Sequence, residues 1–520
     1  MEKDFNITGI CRPSENYMAD VSGKLKEVLR LVEKGKYFII NRPRQYGKTT
    51  TLYTIARMLR ETGEYLVFNI SFEGIGDDIF KEETKFAPGF VGLLETQATA
   101  HAPEHVEFLK QKATEVHTMK DLAKAITDIA LQTHKKVVVL IDEVDKSSNN
   151  QLFISFLAML RNNYLSRDDA KTFHSVVLAG VHDVKSLKLK MRPDEEQKFN
   201  SPWNIAAEFT VDMNLQPFEI KPMLDEYAKD RDVAMDTQKI ADCLFYYTSG
   251  YPFLVSKLCK MFDEKYLPEK TEKTWTEADI EIAVQQLVTE SNTNFDTLVK
   301  NLENDPELYA LVYDVAINNE ARTFNIHIPT INYAVLYGIL VNRNGKTVIH
   351  NRIYSEVLLN YMTNKMEFAQ ARRRVDIGGF YKNDDDTLNM EAVLLGFQAF
   401  MKKEYSKKDR DFLEKNGRLV FLAFLKPILN GSGYDFKEPQ ISEERRLDVV
   451  ITYLHEKFVA ELKIWRGEKA HEKGLVQLSD YLDRQNLTEG YLLIFDHAEV
   501  KNWHQEWIET HGKRVLVIWV

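Results

Sequence analysis

Two groups of residues in this chain have the types and spacing for phosphate chemistry. The first is Arg44-Gln45-Tyr46-Gly47-Lys48-Thr49-Thr50. A loop ending in Gly-Lys-Thr turns successive backbone N–H groups and a helix N-terminus toward nucleotide phosphates. In such a loop Lys48 reaches the β- and γ-phosphates of ATP, and the Thr49 hydroxyl ligates Mg²⁺. The full G-x-x-x-x-G-K-[ST] spacing is broken, because Arg42 stands at the first glycine. A second stretch, KVVVLIDEVD from Lys136 to Asp145, repairs the signal. There a buried apolar run ends in acids, so that Asp142 completes the Mg²⁺ shell and Glu143 orients or deprotonates the attacking water. The alternative for that stretch is a solvated loop after a strand.

The second group lies in RRLDVVITYLHEKFVAELKIW, with Asp448, Glu461 and Lys463. Two strand-like runs, 447–454 and 457–465, meet near His455-Glu456. Antiparallel pairing about that turn sets Asp448 opposite Lys463 and Val450 opposite Glu461. Alternation then puts all four on one face, while Leu447, Val449, Ile451, Leu462 and Ile464 make the other face apolar. Charges converging on one face are costly without solvent, metal or mutual compensation. Asp448 and Glu461 are hard-oxygen ligands for Mg²⁺ or Mn²⁺, and Lys463 can position water in a metal-assisted phosphodiester hydrolysis. Gln477 and Tyr481, one turn apart on the following helix, are placed to face the same site, and Glu391 offers a further carboxylate. The competing reading is an exposed edge with incidental salt bridges of little worth.

These residues need a scaffold to position them. Tyr37 to Ile40 reads as a buried strand, and Lys48 onward as a helix with Leu52, Ile55, Ala56 and Leu59 on one face. An amphipathic helix (Leu25, Val28, Leu29, Leu31, Val32) precedes that strand. Further strands are expected at 65–72, 136–145 and 175–181, the last followed by His182 and Asp183, with 208–213 as a final strand. Helices are expected at 119–132 and 151–164. A continuous apolar strand suits a parallel sheet buried on both faces, with ligands at the carboxyl ends of its strands. From 221 to 299 the periodicity is helical, as in a lid, with Ser249-Gly250-Tyr251-Pro252 between two helices, either a turn that closes over the nucleotide or an ordinary helix junction. Helices at 308–317 and 331–340, then strands around Arg343-Asn344-Gly345, suggest a winged helix. Its second helix is almost without basic side chains, which favours docking over reading DNA. A composition shift near 375 marks a boundary, with helices at 389–405 and 410–425 beyond it. Lys402, Lys403, Lys407, Lys408, Arg410, Arg445 and Arg446 offer a local phosphate-tracking surface, against the favoured alternative that several of them are simply solvated.

Composition narrows the class. A chain of 520 residues, 44% hydrophobic and 28% charged, has ample core for several domains. A net charge of −10 argues against a uniformly basic nucleic-acid binder. Cys11, Cys243 and Cys259 lack metal-type spacing and fit buried thiols in a reducing cytoplasm. MEKDFNITGI has no signal-peptide core, and the longest apolar run, 419–429, is broken by Lys426 and Pro427, so a soluble cytoplasmic protein without membrane contact is expected.

Residues 6–220, with NRPRQYGKTT and VLIDEVDK, resemble the AAA-ATPase-like family, whose P-loop commonly lacks the first glycine. Residues 380–500 resemble the PD-(D/E)xK nuclease domain often fused behind it. The resemblance assigns that motif's aspartate to Asp448, its E-x-K to Glu461 and Lys463, its helix glutamine to Gln477 and its first-helix glutamate to Glu391; Leu447 stands where a proline would be. The resulting expectation is an α/β protein, a P-loop NTPase parallel sheet with helical lid and winged helix followed by a C-terminal restriction-endonuclease-like α/β domain. The domains would be 1–220 (ATPase), 221–299 (lid), 300–370 (winged helix) and 375–520 (nuclease-like). Implied partners are ATP and nucleic acid, DNA rather than RNA, and a homo-oligomer is compatible with the sequence. The alternative function is an ATP-driven switch whose C-terminal domain binds a partner without cutting.

Overall fold

The computed structural model describes residues 3–73, 76–144, 151–181, 205–316, 322–369, 381, 383, 387–404, 417–418, 420–422, 424–425, 428–429, 433–436, 449–453, 456–465, 468–496 and 503–520. The chain divides into two compact units. One contains residues 1–301, 325–341 and 350–353, and the other residues 302–324, 342–349 and 354–520.

In the first unit, helix α1 (Ser22–Glu33) leads to strand β1 (Phe38–Asn41), and helix α2 (Lys48–Glu61) follows the loop. Strands β2 (Tyr65–Ser71), β3 (Lys136–Asp142) and β4 (Ser175–Gly180) complete a four-stranded sheet in the order β1-β4-β3-β2. All its pairings are parallel. Val137 to Ile141 are buried, which explains the unbroken apolar run of β3. Because the strands are parallel, the ends of β1 and β3 open on the same sheet edge, and both phosphate motifs are delivered there.

One face of this sheet is covered by helices α3 (Glu83–His101), α4 (Val106–Glu115), α5 (Met119–Leu131) and α6 (Gln151–Leu165). Helix α5 starts from a capping box between Thr118 and Asp121. Helices α3 and α4 were not anticipated, since Pro88, Gly89 and Gly92 interrupt the local helical signal. Burial of Phe86, Phe90 and Leu94, spaced one turn apart, overrides that weakness.

The expected strand at 208–213 does not form. Only Ala207 bridges to Phe38, with its N–H donating to the Tyr37 carbonyl at 2.8 Å. Beyond it, side chains hold the segment against β1. The Phe209 ring stacks on Phe38 at 6.0 Å, and the Arg42 guanidinium sits over Phe209 at 5.2 Å.

The helical lid is present as α7 (Pro217–Arg231), α8 (Thr237–Thr248), α9 (Pro252–Met261), α10 (Glu277–Thr289) and α11 (Thr293–Glu303). Gly250, between α8 and α9, has φ +75°, and its carbonyl accepts from the Leu215 N–H at 2.8 Å. Further on come helix α12 (Pro306–Ala316), strand β5 (Arg322–Thr323), helix α13 (Pro329–Leu336) and strands β6 (Leu340–Arg343) and β7 (Lys346–Ile349), the three strands forming a small sheet in the order β5-β7-β6. Helix α13 stops four residues before the expected 340, where the chain enters β6. Asn344 (φ 51°) and Gly345 (φ 78°) form the two-residue turn between β6 and β7. Helix α14 (Arg352–Ala369) follows.

The second unit holds helix α15 (Met390–Glu404), strands β8 (Gly433–Phe436), β9 (Val449–Tyr453) and β10 (Glu456–Ile464), helix α16 (Glu468–Arg484), and strands β11 (Glu489–Phe495), β12 (Gln505–Thr510) and β13 (Lys513–Trp519). They make a six-stranded mixed sheet, β12-β13-β11-β10-β9-β8. Leu475, Leu478 and Leu482 of α16 pack on Val450, Val459, Leu492 and Ile494. Phe397 of α15 packs against Phe421, Phe424 and Phe495. Among the described residues no helix is long and apolar enough to cross a membrane.

Candidate functional site

The loop between β1 and α2 sets the geometry of the first site. Gln45 (φ 59°) and Gly47 (φ 73°) turn its backbone through the left-handed region, and Lys48 opens α2. The Lys48 ammonium donates to the carbonyls of Arg42 (3.0 Å) and Pro43 (2.8 Å). Thr49 and Asp142, far apart in sequence, are brought together: Thr49 Oγ1 donates to Asp142 Oδ2 at 2.6 Å. Asp142 is buried, and its Oδ1 accepts from the Glu143 N–H at 2.9 Å. Glu143 has φ 53°, so the chain turns sharply as β3 ends. A hydroxyl oxygen beside a carboxylate oxygen is the hard donor set that suits Mg²⁺. Thr50 is held differently, its Oγ1 accepting from the Cys11 N–H at 3.1 Å.

Arg42, at the position of the first glycine, faces away from phosphate work. Its guanidinium donates to the carbonyls of Asn41 (2.8 Å) and Val211 (2.6 Å), and burial holds its pKa below the usual arginine range. The loop is instead held by residues that local spacing could not reveal. The Tyr251 hydroxyl donates to the Arg44 carbonyl at 2.7 Å. Asn294 Nδ2 donates to Gln45 Oε1 at 2.9 Å. Tyr46 is hydrogen-bonded to Asn214 and His350. His182 and Asp183 lie outside the described residues.

The second group assembles in part. Lys463 Nζ lies 2.7 Å from Glu461 Oε1 and donates to Gln477 Oε1 at 3.3 Å. Helix α16 thus delivers Gln477 to the charges on β10, as its position after the hairpin implied. Asp448 lies outside the described residues, as do Lys407, Lys408, Arg410, Arg445 and Arg446.

Three expectations here need correction. The register is two residues tighter than expected: Tyr453 faces Glu456, and Val450 faces Val459 rather than Glu461. A slip of two keeps every side chain on its face, so Glu461 and Lys463 still point together. Glu461 does not face solvent; it is 0% exposed beneath α16. Glu391 does not join the site. Its carboxylate accepts from Trp507 Nε1 at 3.3 Å. Trp507 pairs with Leu516, Leu516 with Tyr491, and Tyr491 with Ala460. Alternation from Ala460 to Glu461 therefore puts Trp507 and Glu391 on the opposite face of the sheet. Among the described residues no cluster of three or more His, Cys, Asp or Glu side chains is placed to hold a metal.

Residues 10–358 match the family described as AAA-like domain. Among solved structures the chain is similar to the Walker-type ATPase PABY2304 of Pyrococcus abyssi, at 11% identity and TM-score 0.47, covering 68% of this chain and 99% of that one. It is also similar to the ORC2 protein of Aeropyrum pernix, at 15% identity and TM-score 0.39, covering 70% and 98%. A third is RuvB R170A of Thermotoga maritima, at 14% identity and TM-score 0.35, covering 65% and 95%. No curated protein matches the chain.

Proposed function

Starting from the fact that the chain belongs to the AAA-like domain family, as a P-loop ATPase, we propose that it hydrolyses ATP with Mg²⁺ and uses that cycle to regulate a metal-dependent nuclease in its C-terminal region. The observation that carries the ATPase reading is the 2.6 Å approach of Thr49 to Asp142 at the mouth of the Gly47-Lys48 loop. In this reading the N–H groups of residues 44–50 bind the phosphates, and Lys48 exchanges its carbonyl partners for phosphate oxygens. Glu143 takes the proton from the attacking water. Thr49 and Asp142 would hold Mg²⁺, which would supply charge neutralisation at the phosphates.

Grouping of Glu461, Lys463 and Gln477 on one face of the sheet supports the nuclease part. Glu461 with Asp448 would hold Mg²⁺ or Mn²⁺, Lys463 would orient the attacking water and Gln477 would fix the lysine. The boundaries that go with this reading are 1–220, 221–299, 300–370 and 375–520, with DNA as the favoured substrate. A second reading, an ATP-driven switch that binds a partner without cutting, is favoured by one observation. Glu461 is fully buried and already ion-paired with Lys463, as in a structural pair.

The test uses purified full-length protein with Mg²⁺ or Mn²⁺, with and without ATP, on single- and double-stranded DNA and on RNA. Because Glu461 is buried, the variants are the near-isosteric Glu461→Gln and Asp448→Asn. Cleavage by wild type that falls at least about 100-fold in each variant, with unchanged thermal midpoint, is the expected result. No cleavage of any substrate, or equal cleavage by Asp448→Asn, selects the switch.

A further inference from the structure

Tyr46, the residue before Gly47-Lys48, ends in a continuous chain of hydrogen bonds. Its hydroxyl donates to Asn214 Oδ1 at 2.6 Å. A phenol has one proton to give, so toward His350 Nε2, 2.7 Å away, the same oxygen accepts. His350 therefore carries its proton on Nε2, and its Nδ1 accepts from Asn351 Nδ2 at 3.1 Å. At the other end Asn214 Nδ2 donates to Asp212 Oδ1 at 2.9 Å. One direction of donation runs from Asn351 through His350, Tyr46 and Asn214 to Asp212. Burial keeps the Tyr46 hydroxyl protonated well above the usual phenol range, so its donor role holds at all working pH.

His350 is 3% exposed and Tyr46 4%, so no solvent replaces the bond between them if it is cut. The rings of Tyr46 and Tyr251 meet edge-on at 4.5 Å, and the Tyr251 and His350 rings do so at 5.6 Å. The next residues are gripped as well: the Arg352 guanidinium lies 3.7 Å from the Tyr246 ring of α8. The loop has particular need of such support. Arg42 replaces the glycine that would let the loop fold on itself, and Gln45 holds a left-handed φ without being glycine.

We propose that His350 is a positioning residue for ATP, fixing Tyr46 and thereby the phosphate-binding backbone of residues 44–48. The inference rests on the reading of that loop as the ATP site. His350 touches no phosphate; it acts by holding the loop in its binding shape, so its loss weakens ATP binding while the hydrolysing groups stay in place.

The test is titration of full-length protein with Mg²⁺ and a fluorescent ATP analogue, with steady-state ATP turnover alongside. His350→Leu should raise Kd and KM about tenfold and leave kcat within about twofold, because chemistry resides in Thr49, Asp142 and Glu143. His350→Gln, which can present an amide N–H near the position of Nε2, should bind within about threefold of wild type. Tyr46→Phe should also raise Kd about tenfold, and the double variant Tyr46→Phe/His350→Leu should be no worse than the weaker single one. Equal Kd in wild type and His350→Leu, or multiplying losses in the double variant, overturns the inference. A fall in His350→Leu thermal midpoint with unchanged Kd also overturns it, because the residue then serves stability alone. If wild type itself fails to bind the analogue, the fault lies with the ATP-site reading rather than with His350.

Discussion

Lys48 and Glu143 have different proposed roles and should fail differently. Lys48 is buried at the loop and its ammonium has two carbonyl partners, so Lys48→Ala removes the charge that draws phosphate into place. Binding of Mg²⁺-ATP should be lost. Glu143→Gln keeps size and shape at the left-handed turn that ends β3, so binding should persist while turnover falls at least about 100-fold. Isothermal titration and a phosphate-release assay separate the outcomes, and undiminished turnover in Glu143→Gln would remove it as the base. Lys48, Thr49 and Asp142 were legible in the sequence because each belongs to a short motif at a strand end, where local pattern and sheet topology say the same thing. Asn214, Asn294 and His350 were not legible, and of Tyr251 only the turn that carries it was. They are ordinary polar and aromatic residues whose role exists only through contacts 168, 207, 249 and 304 positions away.

At the scale of elements, the β9–β10 hairpin shows what alternation can and cannot fix. A period of two assigns faces, and the faces of Glu461 and Lys463 were read correctly from it. Register depends on the turn, and Tyr453 opposite Glu456 closes a tighter one than the sequence suggested. The missing strand at 208–213 has a related cause. Its alternation is strand-like, but past Ala207 the Arg42 guanidinium bonds the Val211 carbonyl in place of a ladder with β1. The junction between α8 and α9 offers a sharp test. At Gly250 a Cβ would lie 2.1 Å from the Leu215 carbonyl oxygen, and the φ of +75° is strained for any L side chain. Gly250→Ala should cost at least about 2 kcal/mol and lower the thermal midpoint by roughly 5 °C. Calorimetry that finds no shift would show that the α7 entry and the α8–α9 turn move apart without penalty.

Across the chain, the two proposed functions are unequally written. The nucleotide half is carried by a parallel sheet whose motif-bearing strands are near-continuous apolar runs, and the family match spans residues 10–358. The chemistry proposed for the C-terminal half rests on a handful of charges, one of them Asp448, and its sheet mixes parallel and antiparallel pairings. Alternation assigns the faces of such strands but not their order, which is why the strand order was harder to read. The reach of Tyr46 to His350 has a consequence for the order of events during synthesis. The Gly-Lys-Thr loop leaves the ribosome early, but the residues that hold it emerge later, His350, the last of the four, some 304 positions on. The family match, ending at residue 358, includes them. If the Tyr46–His350 contact shapes the loop as proposed, nascent chains carry an unfinished ATP pocket through most of translation, and ATP does not act as a folding ligand until that closure. Chains ending at residue 300 should bind Mg²⁺-ATP at least about tenfold more weakly than chains ending at 369, as equilibrium dialysis would show. Equal binding would mean that the loop matures before its distant partners arrive.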